Sequence, residues 1–542
     1  MVSNLDNFDR LFPEAAQNWD LARLYADLET STGKELKPFE KACLRGLLCR
    51  YRPGQIAFKF AWTSGTLRVE LNKGLYRSLE ALTGNPSNTL KWEHIGEWLE
   101  AKGYKVSFQH QVGIQGNRID WGEAPDIPSF FGRVEDISKL EQWIGNDRCR
   151  LAAVWGMGGI GKTALVAKLT EKVQAQFECT IWRSLRGAQP LSQLLEDILP
   201  FLAGGNLQGA ADTSALLELL KTKRCLIVLD DFETILQDGE LVGLYRQGCE
   251  GYAQLLERIG SERHQGCLIV VSREQPKEIS THQGQDLPVR SYKLGGLKRQ
   301  GALELLKARG FSGSENGLEV LVEQYRGNPS ALKIVATTIQ DLFNGNISEF
   351  LKHTALALGD ILRTLLYQQF ERLSDLEKDV IYWLALKRRP VSLANLREDM
   401  DLQTSGSELI NALESLRWRS LIEKVTEQDE VMFMLEPVVT KYVNKNYIDE
   451  ISKEVNDILT NRSFSKIRLL KSHALVEDRA PDSIRAIQIR LVLKPIKDKL
   501  AKSLLQAELT ADTLHDILSA QLNPALQDGY AETNMALLGL WW

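Results

Sequence analysis

The run Leu151-Ala-Ala-Val-Trp-Gly-Met-Gly-Gly-Ile-Gly-Lys-Thr163 decides how this chain folds. Leu151 to Trp155 is apolar enough for a buried strand, and Gly156 to Thr163 spells G-x-x-x-x-G-K-T. Gly156, Gly158, Gly159 and Gly161 let backbone N–H groups turn inward toward phosphate oxygens with no Cβ in the way. Lys162 is then placed to reach the β- and γ-phosphates, and the Thr163 hydroxyl to meet Mg²⁺. An amphipathic stretch from Ala164 to Phe177 follows. A helix starting there aims the positive end of its dipole at the same anion. Strand before and helix after are the context this chemistry needs, so these residues, with Ala164, form the expected nucleotide-binding set.

Downstream, Cys225-Leu-Ile-Val-Leu-Asp-Asp231 reads as a buried strand ending in carboxylates. Asp230 is expected to hold the metal through water, and Asp231, or alternatively Glu233, to orient the attacking water. The plain alternative is a strand-ending turn, where Asp is common. In Leu268-Ile-Val-Val-Ser-Arg-Glu274 an arginine follows another core strand. Arg273 is either a sensor of the γ-phosphate or a solvated surface group. Strand candidates at 151–155, 180–182, 225–229 and 268–271 alternate with helical stretches, which implies a parallel sheet. Beyond about residue 295 strands become sparse and helical periodicity takes over.

Upstream, the stretch from Leu36 to His110 is mainly helical and locally basic, with twelve Lys/Arg against six Asp/Glu. Leu67, Leu71, Leu75 and Leu79 recur every fourth residue, as on one helix face. Ser64 to Arg77 reads like a recognition helix after a tight turn, with Arg68, Lys73 and Arg77 as candidate DNA contacts. A protein adaptor with a solvated basic face fits the same residues, because fold does not decide function. The segment Asp120-Trp-Gly-Glu-Ala-Pro-Asp-Ile-Pro, with its two prolines, reads as a linker.

Composition narrows the rest. A chain of 542 residues exceeds what one core supports, about 250–300 residues, so several domains are expected. The net charge of −5 excludes a protein that coats nucleic acid as a polycation. The seven cysteines are scattered without a C-x-x-C pair, and His has no metal-binding spacing, so neither a zinc site nor a disulfide framework is suggested. The acidic start lacks an apolar leader and no run of about 18 apolar residues occurs, so a cytoplasmic protein without a membrane partner is expected.

In this order the motifs resemble the NB-ARC branch of the STAND NTPases, over roughly residues 128–445. Phe130-Phe-Gly-Arg-Val-Glu135 looks like the opening motif that frames the adenine pocket, which implies roles for Phe131 and Arg133. Arg326-Gly-Asn-Pro-Ser330 resembles the G-x-P element, whose proline, here Pro329, packs on adenine. Ser272-Arg273 looks like the sensor arginine, which favours that reading of Arg273. The segment 373–443 looks like a winged helix. There the family usually has Met-His-Asp, whose histidine contacts the ADP β-phosphate, while this chain has Leu435-Glu-Pro-Val-Val. A glutamate in that place cannot donate to phosphate, so the resemblance implies a modified lock. The first hundred residues resemble the helix-turn-helix unit of cyanobacterial-type relatives. The segment through Gln527 to Met535 resembles the one that leads into β-propeller or pentapeptide repeats. This sequence ends at Trp541-Trp542 without them, the repeats being absent or cut away.

The expected fold class is multidomain α/β plus all-α. A helical lead-in (1–33), a helix-turn-helix-like unit (34–118) and a linker (119–127) precede a P-loop parallel-sheet domain (128–294). A helical domain (295–365), a winged helix (366–447) and a helical C-terminal region (448–542) follow. The resemblance implies an ATP/ADP switch, a slow Mg²⁺-dependent ATPase in signalling or defence that self-associates or recruits protein partners. Its alternatives are an ATP-dependent transcription regulator and a scaffold with structural nucleotide.

Overall fold

Short apolar runs flanked by Gly, Asp and Ser become strands here because both of their faces are covered. The structure, a computed structural model, describes residues 11–12, 15, 19–32, 36–49, 51–60, 62, 64–84, 92–105, 111–112, 117–205, 209–284, 287–352, 366–400, 405–427, 429–461, 467–506 and 529–539. The terminal Trp541-Trp542 pair lies outside them. The strands are β1 (Gln111–Val112), β2 (Arg118–Asp120), β3 (Leu151–Trp155), β4 (Cys179–Ser184), β5 (Cys225–Asp230), β6 (Cys267–Ser272), β7 (Val289–Lys293), β8 (Val391–Ser392), β9 (Ile422–Glu427) and β10 (Glu430–Leu435).

The chain divides into two units. The first comprises residues 1–127, 170–234 and 264–268. Its strands lie in the order β1-β2-β4-β5. β2 runs parallel to β4, and β4 parallel to β5 with Cys179 opposite Cys225 and Ser184 opposite Asp230. β2 was not anticipated: three half-buried residues before a linker carry too little apolar pattern to be read as a strand. They belong to the sheet because β4 offers them an edge. The helices of this unit enclose a core of Leu24, Leu28, Leu44, Ile56, Leu67 and Leu99 among others. Leu67, Leu71, Leu75 and Leu79 are all buried as their spacing predicts. They sit, however, on two helices, Ser64–Lys73 and Leu75–Thr83, because Gly74 interrupts the run. The expected recognition helix over 64–77 is therefore broken at Gly74.

The second unit comprises residues 128–169, 235–263 and 269–542. Its sheet order is β6-β3-β7, with β3 parallel to β7 from Leu151 opposite Val289 to Trp155 opposite Lys293. β3 and β6 are buried throughout. A separate antiparallel sheet has the order β8-β10-β9 and lies among the helices Asp375–Lys387, Leu393–Asp399, Gly406–Trp418 and Pro437–Asn461. One hydrophobic core runs from Leu297 through Leu332, Trp383, Leu416 and Ile458 to Met535. The boundary expected at residue 447 falls inside the helix Pro437–Asn461, whose buried Val443, Tyr447, Ile451 and Val455 continue one stripe. Helical periodicity carries no mark where one module hands over to the next. Among the described residues no helix is long and apolar enough to cross a membrane.

Candidate functional site

The loop Gly156–Gly161 leaves the buried end of β3 and enters the helix Lys162–Val173. Gly156 (φ 150°), Gly159 (φ 75°) and Gly161 (φ 96°) hold backbone angles that L side chains rarely adopt. A Cβ on Gly156 would also stand 2.7 Å from the Leu294 carbonyl oxygen. Lys162 is buried, and its Nζ donates to the carbonyls of Gly156 (2.9 Å) and Met157 (3.1 Å). Thr163 and Ala164 are half-buried on the first turn of that helix. The loop has the form of a phosphate cradle with its cation in place.

Residues 133–242 match the family model of the NB-ARC domain. Residues 133–242 are thus an NB-ARC domain. The chain is 37% identical over 495 residues to the uncharacterised WD repeat-containing protein alr2800 of Nostoc, covering 82% of this chain and 39% of that protein. It is 29% identical over 270 residues to the Disease resistance-like protein DSC1 of Arabidopsis thaliana, covering 47% of this chain and 20% of that protein. The chain thus spans well under half the length of these curated relatives. The solved structure of a Walker-type ATPase of Pyrococcus abyssi is 16% identical, covers 58% of this chain and 96% of its own, and has a TM-score of 0.41.

Around the NB-ARC loop, distant segments of the second unit close in. Arg133 is 5% exposed and donates to the carbonyls of Ile160 (2.9 Å) and Gly295 (2.8 Å), which ties the loop to the chain after β7. Burial holds its pKa below the usual arginine value, against the pull of Asp136. Phe131 is partly buried against the core that begins at Leu297. Pro329 opens the helix Pro329–Phe343, its ring 3.8 Å from where a Cβ on Gly161 would be. Before it, Asn328 caps that helix by accepting from Ser330 and Ala331 N–H, both at 3.1 Å. The same side chain donates to the Gly158 carbonyl at 3.1 Å. Arg273 is half-buried just past β6 and donates to Gln368 Oε1 at 3.0 Å.

Beside the loop lies a small cavity of about 60 Å³ lined by Met157, Ile160, Lys293, Arg326, Ser420 and Glu436 among others. Two buried hydroxyls in its wall, of Tyr325 and Ser420, have no hydrogen-bond partner among the described residues. Glu436 is pushed up to about 7 by burial and by Glu423, against the pull of Lys293 and Arg326. The glutamate at the expected histidine position is thus a carboxyl that can hold a proton near neutrality.

In the first unit, Asp230 is 4% exposed, and burial and the Asp231 carboxylate push it up to about 8. Glu233, also buried, adds to that rise. Among the described residues no group of three or more His, Cys, Asp or Glu side chains is arranged to hold a metal ion, so Asp230 stands here as a single buried carboxyl at a strand end. Asp231, at φ 55°, accepts from the Ser184 hydroxyl (2.9 Å) and pairs with Arg186 (2.8 Å). Arg68, Lys73 and Arg77 are exposed on the two helices that flank Gly74, and Lys73 lies 3.8 Å from Glu70.

The structure therefore sets Arg133 and Pro329 against the loop Gly156–Gly161, while Phe131 packs on the core of the second unit and Arg273 meets Gln368. Asp230 and Asp231 are neighbours in the first unit, where Arg68, Lys73 and Arg77 lie exposed on two separate helices. Sequence reasoning missed Asn328 and Gln369, both of which bind Gly158. Asn before Pro is a helix-start signal that would have found the first. Gln369 had no local signal.

Proposed function

We propose that this chain is an ATP/ADP switch with slow ATPase turnover. The observation that carries the reading is the state of Gly158. This residue of the phosphate loop is bound by Asn328, 170 residues away, and by Gln369, 211 residues away. A loop tied to such distant segments couples what it holds to how they are arranged. Gly156 to Ala164 would cradle the phosphates, with Lys162 turning its Nζ from loop carbonyls to the β- and γ-oxygens. Phe131, Arg133 and Pro329 would shape the adenine side, and Arg273 would sense the γ-phosphate. Mg²⁺, held by Thr163 and Asp230, would offset charge on the phosphate oxygens. Asp231 would orient the water. Its ion pair with Arg186 and its hydrogen bond from Ser184 occupy the carboxylate, which suits slow turnover.

Helix, strand, helix, helix and two strands over residues 375–435 follow the order of a winged helix, and we read them as one. The helices flanking Gly74 are read as a helix-turn-helix unit serving protein partners or a second copy. The pairing of Lys73 with Glu70 removes one of three cations from a phosphate-binding row, so DNA contact stays the secondary reading. We read the protein as cytoplasmic and as acting in signalling or defence.

The test is to release nucleotide from freshly purified protein by denaturation, identify it by chromatography, and measure mass with ATP and with ADP. Stoichiometric ADP that disappears in Lys162→Ala, with a mass increase in ATP, is expected. A wild-type protein that neither carries nor takes up nucleotide would refute the reading.

A further inference from the structure

Gln369 is 3% exposed in the helical turn 366–371. Its Oε1 accepts from the Gly158 N–H at 3.3 Å, and its Nε2 donates to the Arg419 carbonyl at 3.4 Å. Backbone N–H groups of this loop are the donors that a bound phosphate uses. A neutral amide oxygen therefore sits on a donor that a phosphate oxygen would take. Its neighbours hold the adjoining pieces. Gln368 Oε1 accepts from Arg273 at 3.0 Å, and Arg372 donates to Glu274 at 2.8 Å. The turn 366–371 and the residue after it thus contact the phosphate loop, the arginine after β6 and the glutamate next to it.

We propose that Gln369 is a nucleotide-site residue whose amide stands in for a phosphate oxygen on Gly158 and is displaced when a nucleoside triphosphate binds. The inference rests on the ATP-switch reading, where Gln369 is only a tie on the loop, and gives that residue a role toward the nucleotide itself. A hydrogen bond to a charged acceptor is roughly twice as strong as one between neutral groups, so phosphate wins the Gly158 N–H. The displaced amide then keeps only its weaker bond to Arg419, and the turn 366–371 is no longer anchored to the loop. Gln368 answers to the γ-phosphate in the same way, because a γ-phosphate draws Arg273 from it.

Fluorescent ATP and ADP analogues titrated into the full chain test this. Gln369→Met keeps the side-chain length and loses the amide. It is expected to bind ATP about fivefold tighter, the worth of one neutral hydrogen bond no longer broken. Gln369→Glu keeps the shape, holds Gly158 more strongly and repels phosphate, and is expected to weaken ATP by at least about tenfold. Gln368→Ala should tighten ATP more than ADP. Any other ranking of Gln369→Met, wild type and Gln369→Glu overturns the inference, including equal affinities. If Gln369→Met does not fold, Gln369→Glu decides alone, and undiminished ATP binding in it overturns the inference. A wild type that binds nothing, like Lys162→Ala, sinks the switch reading itself. Lys162-dependent binding with an unaffected Gln369 series sinks only the inference.

Discussion

Glu436 and Lys162 show how a single position sets chemistry. Lys162 is buried, and its ammonium donates to the Gly156 and Met157 carbonyls, which holds the cation inside the loop. Glu436 keeps a proton to about 7 because burial and Glu423 disfavour its charge more than Lys293 and Arg326 favour it. Protonated, it can donate a hydrogen bond to phosphate; ionised, it repels one. ADP is therefore expected to bind tighter at pH 6 than at pH 8, by about tenfold for one proton over one pH unit. Glu436→Gln, which cannot ionise, should show a flat profile. Equal ADP dissociation constants at both pH values in the wild type would remove Glu436 from the nucleotide lock.

At the scale of elements, the second unit is held by a buried ionic network across five segments. Arg419, 1% exposed, donates to Glu274 (2.6 Å), to Glu377 (3.0 Å) and to the Glu240 carbonyl (2.6 Å). Ser415 donates to Glu377 at 2.6 Å, and Arg372 to Glu274 and to Asp238. The strand end at Glu274, the segment at Asp238 and Glu240, the turn 366–371 and the helices Asp375–Lys387 and Gly406–Trp418 all meet here. Burial pushes Glu377 up from the usual carboxylate range, and Arg419 opposes that rise. Removing one partner strands the others without solvent, which costs far more than the pair contributes. Arg419→Met, close in length, should lower stability by about 3–5 kcal/mol in urea unfolding followed by circular dichroism. A loss below about 1 kcal/mol would mean the carboxylates are solvated or already protonated.

On the scale of the whole molecule, the core from Leu297 to Met535 makes one stability unit of segments that read as three domains. His473 sits in it 1% exposed, stacked on Trp383, with Nε2 2.9 Å from the Asp379 carbonyl and Nδ1 2.8 Å from the Ser472 hydroxyl. Burial, aided by Arg468, lowers its pKa to about 4, against the pull of the Asp379 carbonyl. The depressed value makes the neutral ring a source of stability above the unfolded value of about 6.5, lost as pH falls toward 4. The wild type should lose about 3 kcal/mol more than His473→Gln between those pH values, read from urea midpoints. Parallel acid limbs would mean the ring protonates in the folded state. Much of this architecture was legible in the sequence where the cause is local. Glycines fix the angles of the phosphate loop, apolar runs mark β3 to β6, and acidic strand ends mark Asp230 and Asp231. β2, the break at Gly74 and the helix through residue 447 were not legible, since an available sheet edge or a shared core decides them. By itself the sequence determined a phosphate-binding loop between a strand and a helix, because those conformations are properties of neighbouring residues. Only the tertiary structure decided that Gln369 covers Gly158, that Arg419 meets Glu274 across 145 residues and that Glu436 holds its proton. Those pairings depend on which distant surfaces exclude water together, and no local pattern of residues records that.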